Sequence, residues 1–194
     1  MHPIQCQCGA VRGQVDSIGI CNRLICYCPD CRAFAHFLGK APFVLDNQGG
    51  TEIVQVAQPH LRFCQGEELL AAVRLSEAGM LRWYAACCAT PIGNTMANRK
   101  TSFIGLIHTC LDRQKMDKDF GANIAVLNTE TALGQPKPKQ RGLFGIIARF
   151  IWIVATNRIS GRYKKSPLFN SSGVPRVIPK ILEHDELERL KSAV

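Results

Sequence analysis

Seven of the ten cysteines in this 194-residue chain stand in three short clusters, and these constrain the fold more than any other feature. The first cluster is Cys6-Gln-Cys8-Gly9, the second Cys26-Tyr-Cys28-Pro-Asp-Cys31, and the third Ala85-Ala-Cys87-Cys88-Ala-Thr-Pro91. A Cys-x-Cys or Cys-x-x-Cys turn presents two sulfurs to one tetrahedral ion, and zinc takes thiolate sulfur at about 2.3 Å. A bound cation also lowers thiol pKa values, so such cysteines are deprotonated at neutral pH. The opening residues, MHPIQCQCGAVRG, carry no apolar run of a signal peptide. The expected compartment is therefore the cytoplasm, where thiols stay reduced and clustered cysteines point to metal or catalysis before disulfides.

Cys26, Cys28 and Cys31 supply three ligands from six residues. Spacing leaves two readings. The site is closed if a fourth protein ligand arrives from elsewhere, and open if water or substrate completes it. Adjacent residues of a regular strand point to opposite faces, so Cys87 and Cys88 bind one ion only if the backbone turns there. Cys21, Cys64 and Cys110 match no cluster and are expected to act as small buried apolar residues. His36, His60 and His108 are isolated; His36 follows Cys31 most closely.

Around the cysteines the chain reads as short strands broken by turns. Residues 10–15, 43–45, 52–56, 61–63, 81–84 and 103–108 are β-prone, with Gly, Asn or Pro near them. Residues 67–75 (EELLAAVRL) suggest one helical stretch. The expectation is a mainly β domain of short antiparallel strands over residues 1–133. GQPKPKQRG, residues 134–142, reads as a linker. Residues 143–194 then form a basic, partly helical C-terminal extension.

Charge separates the two parts. Residues 1–134 carry 12 Lys and Arg against 11 Asp and Glu, whereas residues 135–194 carry 12 against 4. The apolar run 143–155 (LFGIIARFIWIVA) is too short to span a bilayer comfortably. It is a helix buried against the domain or in a homodimer interface, or it is a membrane-surface anchor. As an anchor it would place Phe150 and Trp152 in the interface, with Arg141, Arg149, Arg158, Arg162, Lys164 and Lys165 toward anionic lipid. The same cations suit nucleic acid, although Tyr163 is the one aromatic among them. Residues 180–193 read as an amphipathic helix with Leu182, Leu187 and Leu190 near one face.

The motifs C-Q-C-G-A-V-R, C-Y-C-P-D-C-R and W-Y-A-A-C-C-A-T-P together resemble the glutathione-dependent formaldehyde-activating enzyme family, whose superfamily includes centromere protein V. The resemblance spans roughly residues 4–110. It implies a zinc-binding β-tent of antiparallel sheets with two zinc positions. By motif, Cys6, Cys8 and Cys88 match the structural ion, while Cys26, Cys28 and Cys31 match the catalytic one. Where the family has Cys-x-x-Cys-Gly-Thr-Pro, this chain lacks the first cysteine and carries Cys87 beside Cys88; the structural site then uses Cys87 after a local distortion, borrows a ligand from elsewhere, or stands empty, and Cys87 is the expected fourth ligand. The implied activity is that of a carbon–sulfur lyase acting on glutathione–aldehyde adducts, formaldehyde above all. Glutathione is anionic, and Arg12, Arg23 and Arg32 flank the cysteines as candidates to bind it. The alternative is a non-catalytic zinc-stabilised binding module whose basic tail meets a membrane surface, a protein or a nucleic acid.

Overall fold

The computed structural model describes residues 1–16 and 18–192. The protein is mainly β, with two sheets. Strands β1 (His2–Gln5), β2 (Arg12–Val15) and β5 (Leu61–Gln65) make a three-stranded antiparallel sheet. The larger sheet has eight strands. Its antiparallel centre contains β3 (Asn22–Cys26), β4 (Thr51–Val56), β9 (Ile104–Ile107), β8 (Thr90–Thr95), β7 (Leu81–Ala85) and β6 (Leu70–Arg74), in that spatial order. β10 (Ala125–Leu127) adds parallel to β3 at one edge, and β11 (Lys180–Ile181) parallel to β6 at the other.

Burial follows position in the sheets. β1 alternates, with His2 and Ile4 inward, because one face meets the core and the other meets water. Every residue of β8 and β9 is buried, since both strands lie at the centre of the larger sheet. The main core gathers Ile4, Val11, Val54, Trp83, Ile92 and Leu106. Gly13 allows strands β2 and β5 of the small sheet to come close, because a Cβ there would collide with the Arg62 carbonyl at the β2–β5 irregularity.

Two local readings are overturned. Residues 67–75 are not a helix: a single 3-10 turn at Glu67–Leu69 leads into strand β6. Helix-forming residues yield here because Leu70 and Val73 pair with Ala85 and Arg82 of β7 and fill the core. Residues 43–45 are not a strand. Pro42 sits in the first turn of α2 (Ala41–Val44), where its fixed φ suits a helix start, and Phe43 points outward.

Among the described residues there are five α-helices: α1 (Pro29–Phe37), α2, α3 (Met116–Phe120), α4 (Leu143–Ile159) and α5 (His184–Ser192). α4 touches β10 and β3. Its buried residues are Ile146, Ile153 and Asn157 alone, so it rests on the protein by a narrow face instead of being enclosed. Phe150 packs edge-on against Phe103, with ring centroids 4.9 Å apart. Leu168 and Phe169 enter the main core. The final helix starts at His184, four residues later than the leucine pattern suggested, because residues 180–181 pair with β6 as β11. Leu182, Leu187 and Leu190 pack with Phe34 and Leu38 of the α1 segment. Ala193, the expected end of that helix, lies outside the described residues. Among the described residues, no helix is long and apolar enough to cross a membrane.

Candidate metal centres

Two turns build the first centre. The turn joining β1 to β2 carries Cys6 and Cys8, and the turn joining β7 to β8 carries Cys87 and Cys88. Gly9 closes the first turn, its N–H donating to the Cys6 carbonyl at 2.9 Å with φ at +78°, a region where only glycine is unstrained. The Val11 N–H donates to Cys6 Sγ at 3.2 Å. All four sulfurs lie within 4.8 Å of one another. The separations are 3.5 Å for Cys6–Cys8, 3.9 Å for Cys6–Cys87, 3.4 Å for Cys8–Cys87 and 3.8 Å for Cys87–Cys88. A tetrahedron with zinc–sulfur bonds of about 2.3 Å has edges of about 3.8 Å, so these four side chains fit one zinc ion.

Adjacent cysteines converge because the backbone leaves the strand: β7 ends at Ala85, and Ala89 adopts φ +54°, in the left-handed region. Thr90 secures the junction. Its Oγ1 accepts the Gln7 N–H at 2.9 Å, so its own proton faces Cys88 Sγ at 3.0 Å. Desolvation of Cys88 favours the thiol, but the hydrogen bonds from Thr90 and the Cys8 backbone outweigh it and bring the pKa down to about 6. Replacing Ala89 with Gly should stabilise the protein by about 1 kcal/mol, because the Cβ strain at positive φ is removed. A rise in denaturant midpoint with unchanged slope is the expected readout; no rise would show that Ala89 is unstrained.

The second centre sits where β3 runs into α1. Cys26 is the last residue of β3, Cys28 caps α1 in an extended conformation, and Cys31 lies in the first helical turn with its N–H on the Cys28 carbonyl at 3.1 Å. The three sulfurs lie within 4.8 Å of one another. Cys26 and Cys31 are buried and Cys28 is half-buried. Hydrogen bonds from Cys28 and Cys31 hold the Cys26 thiol down to about 3 against its burial, and the Asn128 amide adds a further donor at 3.1 Å. Cys28 is raised by its bond to Cys26, and Cys31 is raised well above the usual thiol range by both neighbours. Cys26 is thus the member of the triplet most favoured as thiolate, and it lies close to the positive end of α1. Among the described residues, no further His, Cys, Asp or Glu joins this group.

The arginines are placed differently from one another. Arg12 Nε donates to the Gly9 carbonyl at 3.0 Å, beside the four-cysteine centre. Arg23 is buried, bound to Glu52 at 2.7 Å, Asp117 at 2.5 Å and the Gly121 carbonyl at 2.8 Å. Arg32 donates to the carbonyls of Tyr27 at 2.8 Å and Thr131 at 2.7 Å, tying the triplet loop to the segment after β10. Arg23 and Arg32 thus have partners within the protein.

A cleft of about 260 Å³ is lined by Gln7, Lys40, Phe43, Thr90, His108 and Arg113. Gln7 and Thr90 belong to the four-cysteine centre, whereas Val44, also on the wall, packs in the same cluster as Cys26 and Cys31. Burial, followed by the nearby charge of Arg113, pushes the His108 pKa down, so the ring is neutral at pH 7. Asn128, Lys40 and Arg113 escape a cysteine-led reading; a polar residue with φ +57° directly after β10 is the one local hint of Asn128. Of the unclustered cysteines, Cys110 is buried and pushed up to about 12 by desolvation, Cys21 is half-buried, and Cys64 is exposed, contrary to its expected burial. His36, His60 and His108 join neither sulfur group.

Fold and site together define a mainly β, cysteine-rich protein with two places able to hold a metal ion. The chain belongs to the DUF6151 family, described as a family of unknown function, whose model matches residues 1–174. A crystal structure of a Rhodobacter sphaeroides protein is similar at 18% identity, covering 63% of this chain and 97% of that one, with a TM-score of 0.39. No curated protein matches the sequence.

Proposed function

We propose that the protein is a zinc-dependent, carbon–sulfur lyase-like enzyme acting on adducts of a thiol such as glutathione with a small aldehyde such as formaldehyde. Cys26, Cys28 and Cys31 would hold the reactive ion, and Cys6, Cys8, Cys87 and Cys88 a structural one. The observation that carries this reading is the difference in donor number: four sulfurs complete one tetrahedron, three leave the other open. A zinc ion held by three thiolates supplies a Lewis acid with one exchangeable position.

The chain's own residues supply the rest. Asn128 donates to the Cys26 sulfur and helps to orient it, and Arg32 braces the loop that carries the triplet. Lys40 and Arg113 bring positive charge to the cleft, suited to the carboxylates of an anionic peptide thiol. Phe43 and Val44 give that cleft an apolar wall. In the synthetic direction the thiol sulfur bonds to the aldehyde carbon. The carbonyl π pair moves to oxygen, and the thiol proton ends there; the lyase direction reverses these moves.

A second reading, a zinc-stabilised binding module without catalysis, is favoured by the burial of Cys26 and Cys31, which leaves Cys28 as the more open member of the triplet. One experiment separates the two. Native mass spectrometry of the purified protein, with and without glutathione, should show two zinc ions and a glutathione adduct. Cys28→Ser should lose about one zinc and the adduct while keeping its circular dichroism spectrum. Two zinc ions without an adduct would sink the enzyme reading and leave the module; unchanged zinc in Cys28→Ser would sink the triplet as a metal site.

A further inference from the structure

Helix α4 exposes an apolar face that nothing among the described residues covers. Ile146, Ile153 and Asn157 face the protein. At 100° per residue, the opposite side carries Phe144, Ile147, Ala148, Ile151, Trp152 and Ile159, an apolar stripe that Arg158 enters only in the last turn. Phe144 is 89% exposed, Ile159 88%, and Ile151 and Trp152 59% each. Scattered surface apolar residues are ordinary, but a contiguous stripe of this kind marks a contact surface.

The charge around it identifies the occupant. Between Glu130 and Glu183 the sequence has ten Lys and Arg and not one Asp or Glu. Arg141, Arg149, Arg158, Arg162, Lys164 and Lys165 are exposed on α4 and its flanks. A second copy of the chain would bring the same positive charge to the contact, which opposes dimerisation through this face. An anionic lipid surface complements both the apolar stripe and the cations. The helix spans about 26 Å at 1.5 Å per residue, short of a hydrocarbon core of about 30 Å, so it suits the plane of the interface and not a crossing.

A cleft of about 260 Å³ opens beside the stripe, with His60, Trp152, Asn157, Ser160 and Arg162 on its walls. Asn157 is 94% buried, since its exposure is 6%, and its Oδ1 has no hydrogen-bond partner among the described residues. Its Nδ2 is already committed to the Ile153 carbonyl at 2.7 Å, so the oxygen is the atom left to accept. A phospholipid headgroup answers this pair, with phosphate oxygens toward Arg162 and a hydroxyl donating to Asn157 Oδ1.

We propose that α4 docks the protein on the surface of an anionic phospholipid bilayer, Phe144, Ile151 and Trp152 entering the interface and a headgroup occupying the Arg162–Asn157 cleft. The proposal is independent of the zinc chemistry. The test is sedimentation of the full chain with vesicles of phosphatidylcholine containing phosphatidylglycerol, against vesicles of phosphatidylcholine alone. Binding should be at least tenfold stronger to the anionic vesicles and should shift Trp152 fluorescence to shorter wavelength; Trp83, already buried, contributes little change. Ile151→Glu, at an exposed position, and the double change Arg162→Glu with Lys164→Glu should each weaken binding at least tenfold with unchanged circular dichroism. Absence of vesicle binding overturns the proposal. So does binding unaffected by Ile151→Glu, retention on a DNA duplex instead of vesicles, or light scattering that shows Ile151→Glu turning a dimer into a monomer.

Discussion

If the four-cysteine centre holds the structural zinc proposed above, Cys6→Ser is expected to abolish binding of that ion and to destabilise the protein by more than about 4 kcal/mol. Structural zinc contributes on the order of 10–16 kcal/mol of binding free energy that is also folding free energy, because no such site exists in the unfolded chain. Cys6 is the innermost ligand, at 1% exposure, and its sulfur also accepts the Val11 N–H. The centre fastens the β1–β2 turn of the small sheet to the β7–β8 turn of the large one. β1 has β2 as its strand partner and otherwise a single bridge from Ile4 to Leu111. Without an ion, the packing of Ile4 and the bonds of His2 to Asp119 and the Asp112 N–H still hold that edge, while the turn carrying Cys6 and Cys8 loses its fastening to the large sheet. Metal content and thermal unfolding, with and without a chelator, are the measurements. Cys8→Ser should behave alike, whereas Cys64→Ser, exposed and outside both groups, should change neither quantity. An unaltered melting temperature with full metal content in Cys6→Ser would show that this site holds no structural ion.

Trp83→Ala should cost about 3–5 kcal/mol, the range for deleting a fully buried aromatic. Trp83 lies on β7 opposite Ala72 of β6 and Gly93 of β8. Small neighbours on both sides make room for the indole, and neither can close the cavity it would leave. Its Nε1 donates to Thr95 Oγ1 at 2.9 Å, and its ring meets Phe169 edge-on at 6.4 Å. Trp83→Phe should therefore cost less, losing one hydrogen bond worth about 1 kcal/mol and part of the packing. Because Phe169 belongs to the C-terminal third, Trp83→Ala should also speed proteolysis near residues 160–175. Denaturant unfolding followed by circular dichroism gives the energies. Equal costs for the two variants would mean that the hydrogen bond, and not the ring volume, dominates at this position.

Part of this protein was legible in its residues alone. Cys26, Cys28 and Cys31 lie within one strand–turn–helix, so their convergence is a local matter of backbone geometry. Strand runs such as 52–56 and 81–84 were readable because alternation, β-branching and turn residues act over a few positions. The stretch 67–75 was not, because its helical propensity is worth less than the strand partners that β7 offers it. Cys87 and Cys88 read as facing opposite ways until Ala89, at φ +54°, turned the chain. Arg23 and Arg32 stood near cysteines as candidate anion binders, yet their partners, Asp117 and Thr131, lie 94 and 99 residues further on.

The sequence by itself determined which sulfurs are neighbours within each cluster, and that the C-terminal third is basic. That the first and third clusters, about 80 residues apart, share one centre was implied by the resemblance alone, and the tertiary structure brings their sulfurs together. It alone decided which side of α4 meets the protein and which side meets its surroundings. The physical reason is the same in both cases: turn geometry and propensity act through adjacent bonds, whereas the meeting of two turns or the choice of a helix face depends on strand register and core packing summed over the whole chain.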